Sequence, residues 1–187
     1  MKEEAQAVAE CAVFVGVSLD GFIARPNGDL DWLMGKGGGD SKEYGYNEFI
    51  AEIDAIVMGR KTFEKVLSFD KWYYDDKRVV VLSNRPLGLS LARDRGGVVE
   101  LMGGSPAEIV SKLAASGARR LYVDGGITIQ QFLCAGLIHR LIISRLPVLI
   151  GEGIPLFGSL PRDIRLSHIA TRTYPGGMVQ SEYHVVT

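Results

Sequence analysis

Cysteine is nearly missing from this chain. Its 187 residues include two, Cys11 and Cys134, each alone in an apolar segment. Neither belongs to a CxxC pair or a His/Cys cluster, which argues against a disulfide framework and a zinc site. Histidine is equally sparse. His139, His168 and His184 lie far apart in strand-like segments and make no metal spacing or catalytic triad, so they read as structural. A large excess of charge is lacking too. The net charge is −1, and nothing in it points to a polyanion partner such as nucleic acid. No apolar run approaches the roughly 18 residues of a membrane span. Met1 to Glu10 carries three glutamates and one lysine, unlike the basic, then apolar start of a secretory signal. These absences lead to an expectation of a cytoplasmic protein with no membrane or nucleic-acid partner.

What remains is an ordinary globular composition, 47% hydrophobic and 23% charged, in a length that suits one domain. No repeat, low-complexity tract or linker interrupts it. The expected division is an N-terminal tail over 1–10 and a single domain over 11–187. Strand and helix patterns alternate, which is the signature of an α/β domain. Strands are expected at Cys11–Val17, Ala55–Met58, Arg78–Leu82, Val98–Met102 and Leu121–Val123, and a long one at Leu137–Ile150, interrupted near Pro147. Helices are expected at Ser41–Ile53, Arg60–Leu67 and Gly126–Ala135. The clearest helix start is Ser105-Pro106-Ala107-Glu108, with a capping serine, proline at the first position and a returning glutamate. From Ile164 to Val186, polar and apolar residues alternate around Pro175-Gly176-Gly177, which reads as a β-hairpin.

Three strand ends carry groups suited to an anion. Gly59-Arg60-Lys61-Thr62 follows a strand and opens a helix, where free N–H groups and a partial positive charge attract phosphate. Gly125-Gly126-Ile127-Thr128 does the same with a glycine pair that admits a close ligand, although it is not a full GxGxxG fingerprint. Ser83-Asn84-Arg85 ends a strand in small polar groups and a guanidinium. Three basic groups near these ends (Arg60, Lys61 and Arg85) favour a 2′-phosphorylated nucleotide. Each segment taken alone also reads as a solvated turn.

Their order and spacing resemble the dihydrofolate reductase superfamily. The chain looks closest to the branch that holds the pyrimidine reductase of riboflavin biosynthesis and its small stand-alone relatives. The resemblance runs from about Ala12 to the C-terminus. It rests on Val17–Ala24, Gly28–Leu33, the MGRxT-like Val57–Glu64, Val80–Pro86, Val123–Gly126 and above all Leu146–Phe157, which is typical of that branch and foreign to true dihydrofolate reductases. It implies a three-layer dihydrofolate-reductase-like fold. A mixed, mostly parallel central sheet would be flanked by helices and end in an antiparallel hairpin. It also implies NADPH as cofactor, a homodimer, and a reductase acting on a pterin, an aminopyrimidine or a related heterocycle.

By the same resemblance, Gly59, Arg60, Lys61 and Thr62 bind the cofactor's phosphates, as do Ser83 and Arg85 at the adenosine end. Gly125, Gly126, Ile127 and Gln130 line the diphosphate and nicotinamide side, and Ile23 and Ala24 border the nicotinamide. Gly126 is expected to leave room for the diphosphate. Counting back from the MGR element puts the substrate carboxylate on Glu43, with Asp29, Asp31 and Glu48 as competitors. Trp32 either stacks on a flat heterocycle or packs in the core. Asp20 is expected to stabilise a turn. The zinc-deaminase signature often fused to the riboflavin enzyme does not occur in the chain. With no proton donor placed, a non-catalytic nucleotide- or ligand-binding protein of the same fold is the competing expectation.

Overall fold

A computed structural model of the chain describes residues 9–34 and 44–186. Its strands are β1 (Glu10–Val17), β2 (Phe22–Ala24), β3 (Ala55–Gly59), β4 (Arg78–Leu82), β5 (Val98–Met102), β6 (Arg120–Asp124), β7 (Ile138–Arg145), β8 (Ile154–Pro155), β9 (Leu166–Thr173) and β10 (Val179–Val185). The helices are α1 (Asp31–Met34), α2 (Tyr46–Ala51), α3 (Arg60–Leu67), α4 (Ser90–Asp94), α5 (Pro106–Ala115) and α6 (Gly126–Cys134).

Eight strands form one sheet in the order β5-β4-β3-β6-β1-β7-β10-β9, and β2 pairs with β8 in a separate ribbon. The six strands from β5 to β7 run parallel. The β9–β10 hairpin closes the sheet antiparallel against β7. Strands β3, β4 and β6 are near-continuous Val, Ile and Leu because helices cover both of their faces. Val57, Val80, Leu121 and Val123 face α5 and α6 in one core. Ile56, Met58, Val79, Val81 and Tyr122 face α2, α3 and α4 in the other. The result is the expected three-layer α/β arrangement.

Local signals set several elements. Ser105 Oγ accepts from the Glu108 N–H, while Glu108 Oε2 accepts from the Ser105 N–H at 2.7 Å, so both halves of the capping box form. Behind it Ile109, Val110 and Leu113 are buried. The hairpin turns at Tyr174–Met178, where Gly176 and Gly177 both hold φ near +85°, a region that favours glycine. Asp54 caps the entry to β6, its carboxylate accepting from the N–H groups of Arg119 (2.7 Å) and Arg120 (2.9 Å).

Other expectations need correction. The strand expected over Leu137–Ile150 stops at Arg145: Pro147 has no N–H to donate, and the Val148 N–H bonds back to the Leu146 carbonyl at 2.8 Å. The first half of its apolar run is interior, with Leu141, Ile142 and Ile143 buried between β1 and β10, whereas Leu149 is exposed. The helix expected from Ser41 is seen over Tyr46–Ala51, and residues 41–43 lie outside the described ones. β2, β8, α1 and α4 are too short to show a period in sequence. Among the described residues, no helix is long and apolar enough to cross a membrane.

Two substitutions separate capping from core. Ser105→Ala is expected to cost about 1 kcal/mol. Leu113→Ala, which opens a cavity under α5, is expected to cost about 2–5 kcal/mol. Urea unfolding of the two variants checks this ordering.

Candidate functional site

The helices after β3 and β6 leave the sheet on opposite faces. β3 and β6 are neighbours, with Met58 beside Asp124, yet α3 packs on one face and α6 on the other. Between their starts lies the crevice at the carboxyl ends of the strands where an open α/β sheet binds ligands. Both helices begin without a side-chain cap, on Gly59 and Gly125. Their free N–H groups and partial positive charge are therefore available to an anion.

The two helix starts are knitted together by glycine and threonine. A Cβ on Gly125 would collide with Thr62 Oγ1, and one on Gly59 would press against Thr128 Oγ1 at 3.0 Å. Gly125 also holds φ +92°, which a side chain would strain. Gly126 is buried against the β2–β8 ribbon. The space a Cβ would fill belongs to Ile23 Cδ1 (2.8 Å) and the Pro155 carbonyl (3.2 Å). A valine there would push the β2–β8 ribbon off α6, so loss of ligand binding in that variant would not by itself locate a diphosphate.

The basic side chains divide into two roles. Arg60 Nη2 donates to Ser83 Oγ (2.9 Å) and to the carbonyls of Arg85 and Pro86 (3.0 Å each). It braces the turn after β4 while keeping its charge beside the crevice. Lys61 and Arg85 are exposed and make no ion pair among the described residues. Ser83 Oγ is tied into its own turn, donating to the Arg85 carbonyl and accepting from its N–H. Ile127 is 60% exposed at the first turn of α6. Ala24 is buried in the ribbon, paired with Ile154. Gln130 is turned to the protein: its amide donates to the carbonyls of Pro155 (3.1 Å) and Leu156 (3.2 Å).

On the α2 side of the crevice stands a carboxyl group that no sequence argument singled out. Asp124 ends the central strand β6. Its Oδ1 accepts from the Gly125 N–H at 2.8 Å, and its Oδ2 faces the Tyr74 hydroxyl at 3.4 Å. Tyr122 shares its face of β6, and its hydroxyl donates to the Phe14 carbonyl at 2.9 Å. The residue keeps some exposure, but enclosure of the carboxyl pushes its pKa up, against hydrogen bonds that pull it down. The hydroxyls of Tyr46, Tyr74 and Tyr122 are all pushed up as well, first by burial and then by the nearby Asp124 charge. The available signal was a carboxylate at the last position of an otherwise apolar strand, directly before a glycine pair.

The other carboxylates proposed from sequence are engaged elsewhere or undescribed. Asp31 pairs with Arg25 at 2.5 Å and Asp29 with Lys65 at 2.9 Å; both are exposed. Glu48 is exposed in the first turn of α2. Glu43 lies outside the described residues. Trp32 sits half-buried in α1, its indole Nε1 enclosed and without a hydrogen-bond partner. Asp20 does more than stabilise its own turn. Its carboxylate accepts from the N–H groups of Ile150 and Gly151, clamping two loops together. A separate cavity opens at the amino ends of the strands, where most of the charges pair with one another. Glu52 meets Arg120 and Arg140, and Glu182 meets Arg140 and His184.

The family model for the RibD C-terminal domain matches residues 11–180. The chain belongs to that family. It is 30% identical over 174 residues to an uncharacterized Bacillus subtilis protein, YwjB, covering 91% of this chain and 95% of that one. It is 36% identical to a putative riboflavin biosynthesis protein from Shewanella, whose crystal structure superposes with a TM-score of 0.85 over 95% of this chain and 99% of that chain. A dihydrofolate reductase from Enterococcus faecalis shares the fold at 16% identity, with a TM-score of 0.68 over 95% of this chain and 97% of that chain. This RibD C-terminal family member thus has a dihydrofolate-reductase-like fold.

In this family member, Gly125→Ala is expected to lower stability by about 1–3 kcal/mol, from positive φ and the contact with Thr62. Thr62→Ala should restore only part of that loss, since it relieves the contact but leaves the backbone conformation strained; thermal unfolding of the single and double variants reads this. A second expectation concerns Asp124. A group whose pKa is raised by folding contributes stability below its unfolded value and loses it as pH rises through the folded value. Asp124→Asn should therefore stabilise the fold at neutral pH, by an amount on the order of 1 kcal/mol, and the gain should shrink at acid pH, where the native carboxyl is already protonated. Denaturant melts at both pH values check the sign.

Proposed function

We propose that the protein is an NADPH-dependent reductase that passes hydride to a small planar heterocycle of the pterin or aminopyrimidine type. The observation that carries this reading is the two-sided crevice: uncapped helix starts and cationic side chains on one side, an enclosed carboxyl group on the other. The donor set fits a phosphorylated dinucleotide. Arg60 is fixed beside the strand ends, Lys61 and Arg85 are exposed without ion partners, and the starts of α3 and α6 present N–H groups. Thr62, Ser83, Gly59 and Gly125 shape the backbone that meets the phosphates. Support also comes from the Enterococcus relative in fold, whose structure holds NADP(H).

NADPH, when bound, supplies the hydride. The chain's part is positioning and a proton. Ile23 and Ala24, held against Gly126 and β8, border the reacting ring and exclude water. Asp124 holds the N–H edge of the substrate or donates the proton that balances hydride addition across a C=N or C=O bond. Its raised pKa keeps it protonated into a higher pH range than an ordinary aspartate. Tyr46 supplies a flat wall on the same side, and Trp32 is the residue expected to stack on the heterocycle. The same reading places the protein in the cytoplasm as a homodimer joined through β9, an edge strand exposed along nearly its whole length, Leu166 and Ile169 included.

Fluorescence titration should show NADPH binding at micromolar concentrations, weakened about tenfold or more by Arg60→Ala. Asp124→Asn should bind NADPH as the wild type does and lose about 10²-fold or more of turnover with a pterin or aminopyrimidine. Absence of NADPH binding by the wild type overturns the reading.

A further inference from the structure

Tyr74 is remote from the crevice in sequence and belongs to none of the family motifs. It lies in the loop between α3 and β4, whose position is over-determined. Trp72 and Tyr74 are both buried, with rings edge-to-face at 5.4 Å, and Trp72 packs edge-to-face on Phe63 of α3. Lys77 Nζ reaches the Ile53 carbonyl at 2.8 Å, and the Lys77 N–H bonds the Tyr74 carbonyl at 2.9 Å. The loop thus holds a phenol rigidly with its hydroxyl towards Asp124 Oδ2, at 3.4 Å. Asp124 Oδ1 is already occupied by the Gly125 N–H. The two contacts engage both oxygens, and the Tyr122 hydroxyl also bears on the carboxyl group.

We propose that Tyr74 is a positioning residue that orients the Asp124 carboxyl and sets the pH at which it ionises. This deepens the reductase reading and rests on it for its functional meaning. The physical argument is a balance. Enclosure favours the neutral acid, whereas each donated hydrogen bond favours the carboxylate. The groups that face Asp124 are few. Tyr46 comes from α2, Tyr74 from the 72–77 loop and Tyr122 from β6 itself, and Asp75 adds a negative charge that bears on Tyr46. None of these is a cation, so among the described residues no ion pair overrides the hydrogen bonds. Deleting one phenol hydroxyl removes a bond that only the charged form uses fully. Asp124 then holds its proton to higher pH.

The test is a titration of the Asp124 side-chain carboxyl by carbon-13 NMR in the full chain, without substrate. In Tyr74→Phe, which keeps the ring packed on Trp72, the midpoint is expected to rise by about one pH unit. In Tyr73→Phe, whose side chain is exposed one position away, it should stay at the wild-type value. An unmoved or lowered midpoint in Tyr74→Phe overturns the proposal. If that variant fails to fold, the wild type still decides. The Tyr74 ring carbon bearing the hydroxyl should shift in step with Asp124, and a signal that ignores the Asp124 midpoint overturns it. The NADPH titration is a separate readout. A wild type that does not bind NADPH removes the reductase reading and leaves the titration result standing. A binding-competent protein with an unmoved midpoint removes only the role of Tyr74.

Discussion

The close contact between the ends of β3 and β6 is the constraint on which the rest of the site depends. Two strands hydrogen-bonded side by side send their helices to opposite faces. That is possible only if the turns at Gly59 and Gly125 carry no side chains, because Thr128 and Thr62 fill the space. The crevice, the paired uncapped helix starts and the separation of the cationic side chains from Asp124 all follow. Arg60, the first residue of α3, then ties the β4 turn into the same construction through Ser83, Arg85 and Pro86. Three strand ends distant in sequence become one surface.

Against that scaffold Asp124 is a costly residue. A valine at the end of a central strand would pack without penalty, whereas an enclosed carboxyl destabilises the fold once it ionises. The chain keeps it enclosed, oriented by a backbone N–H and ringed by tyrosines. Perturbed carboxyl groups at a ligand crevice have a functional rationale that structural carboxylates lack. The exposed pairs Asp29–Lys65 and Asp31–Arg25 show the contrast, since solvated charges of that kind are nearly neutral to stability.

The fold was readable in sequence because its determinants are local or periodic. The apolar runs of β3, β4 and β6, the capping box at Ser105 and the glycine pair at Gly176-Gly177 each specify their element within a few residues. The glycine turns at Gly59 and Gly125 were readable for the same reason. Asp124 was not, since its meaning comes from Tyr74, fifty positions earlier, and from enclosure by α2, neither of which leaves a local pattern. Gln130 and Gly126 show the converse. Both sit in a recognisable motif, yet their side-chain space is taken by the 154–158 segment, a contact that only the tertiary structure reveals.

That segment explains why Leu146–Phe157 carried so much of the resemblance. Asp20 clamps the Ile150 and Gly151 N–H groups, Gly153 lets its strand pass against the Ala24 carbonyl, and Ile154 and Pro155 close over Gly126 together with Ile23. Each contact joins the loop after β1 to the segment after β7, two connections that emerge at neighbouring strand ends. The ribbon they form roofs the start of α6. A substitution at Gly153 or Gly126 therefore acts on the crevice through the ribbon. The motif is distinctive because this roof, unlike a phosphate turn, requires two loops to be complementary to each other and to a bare helix start at once.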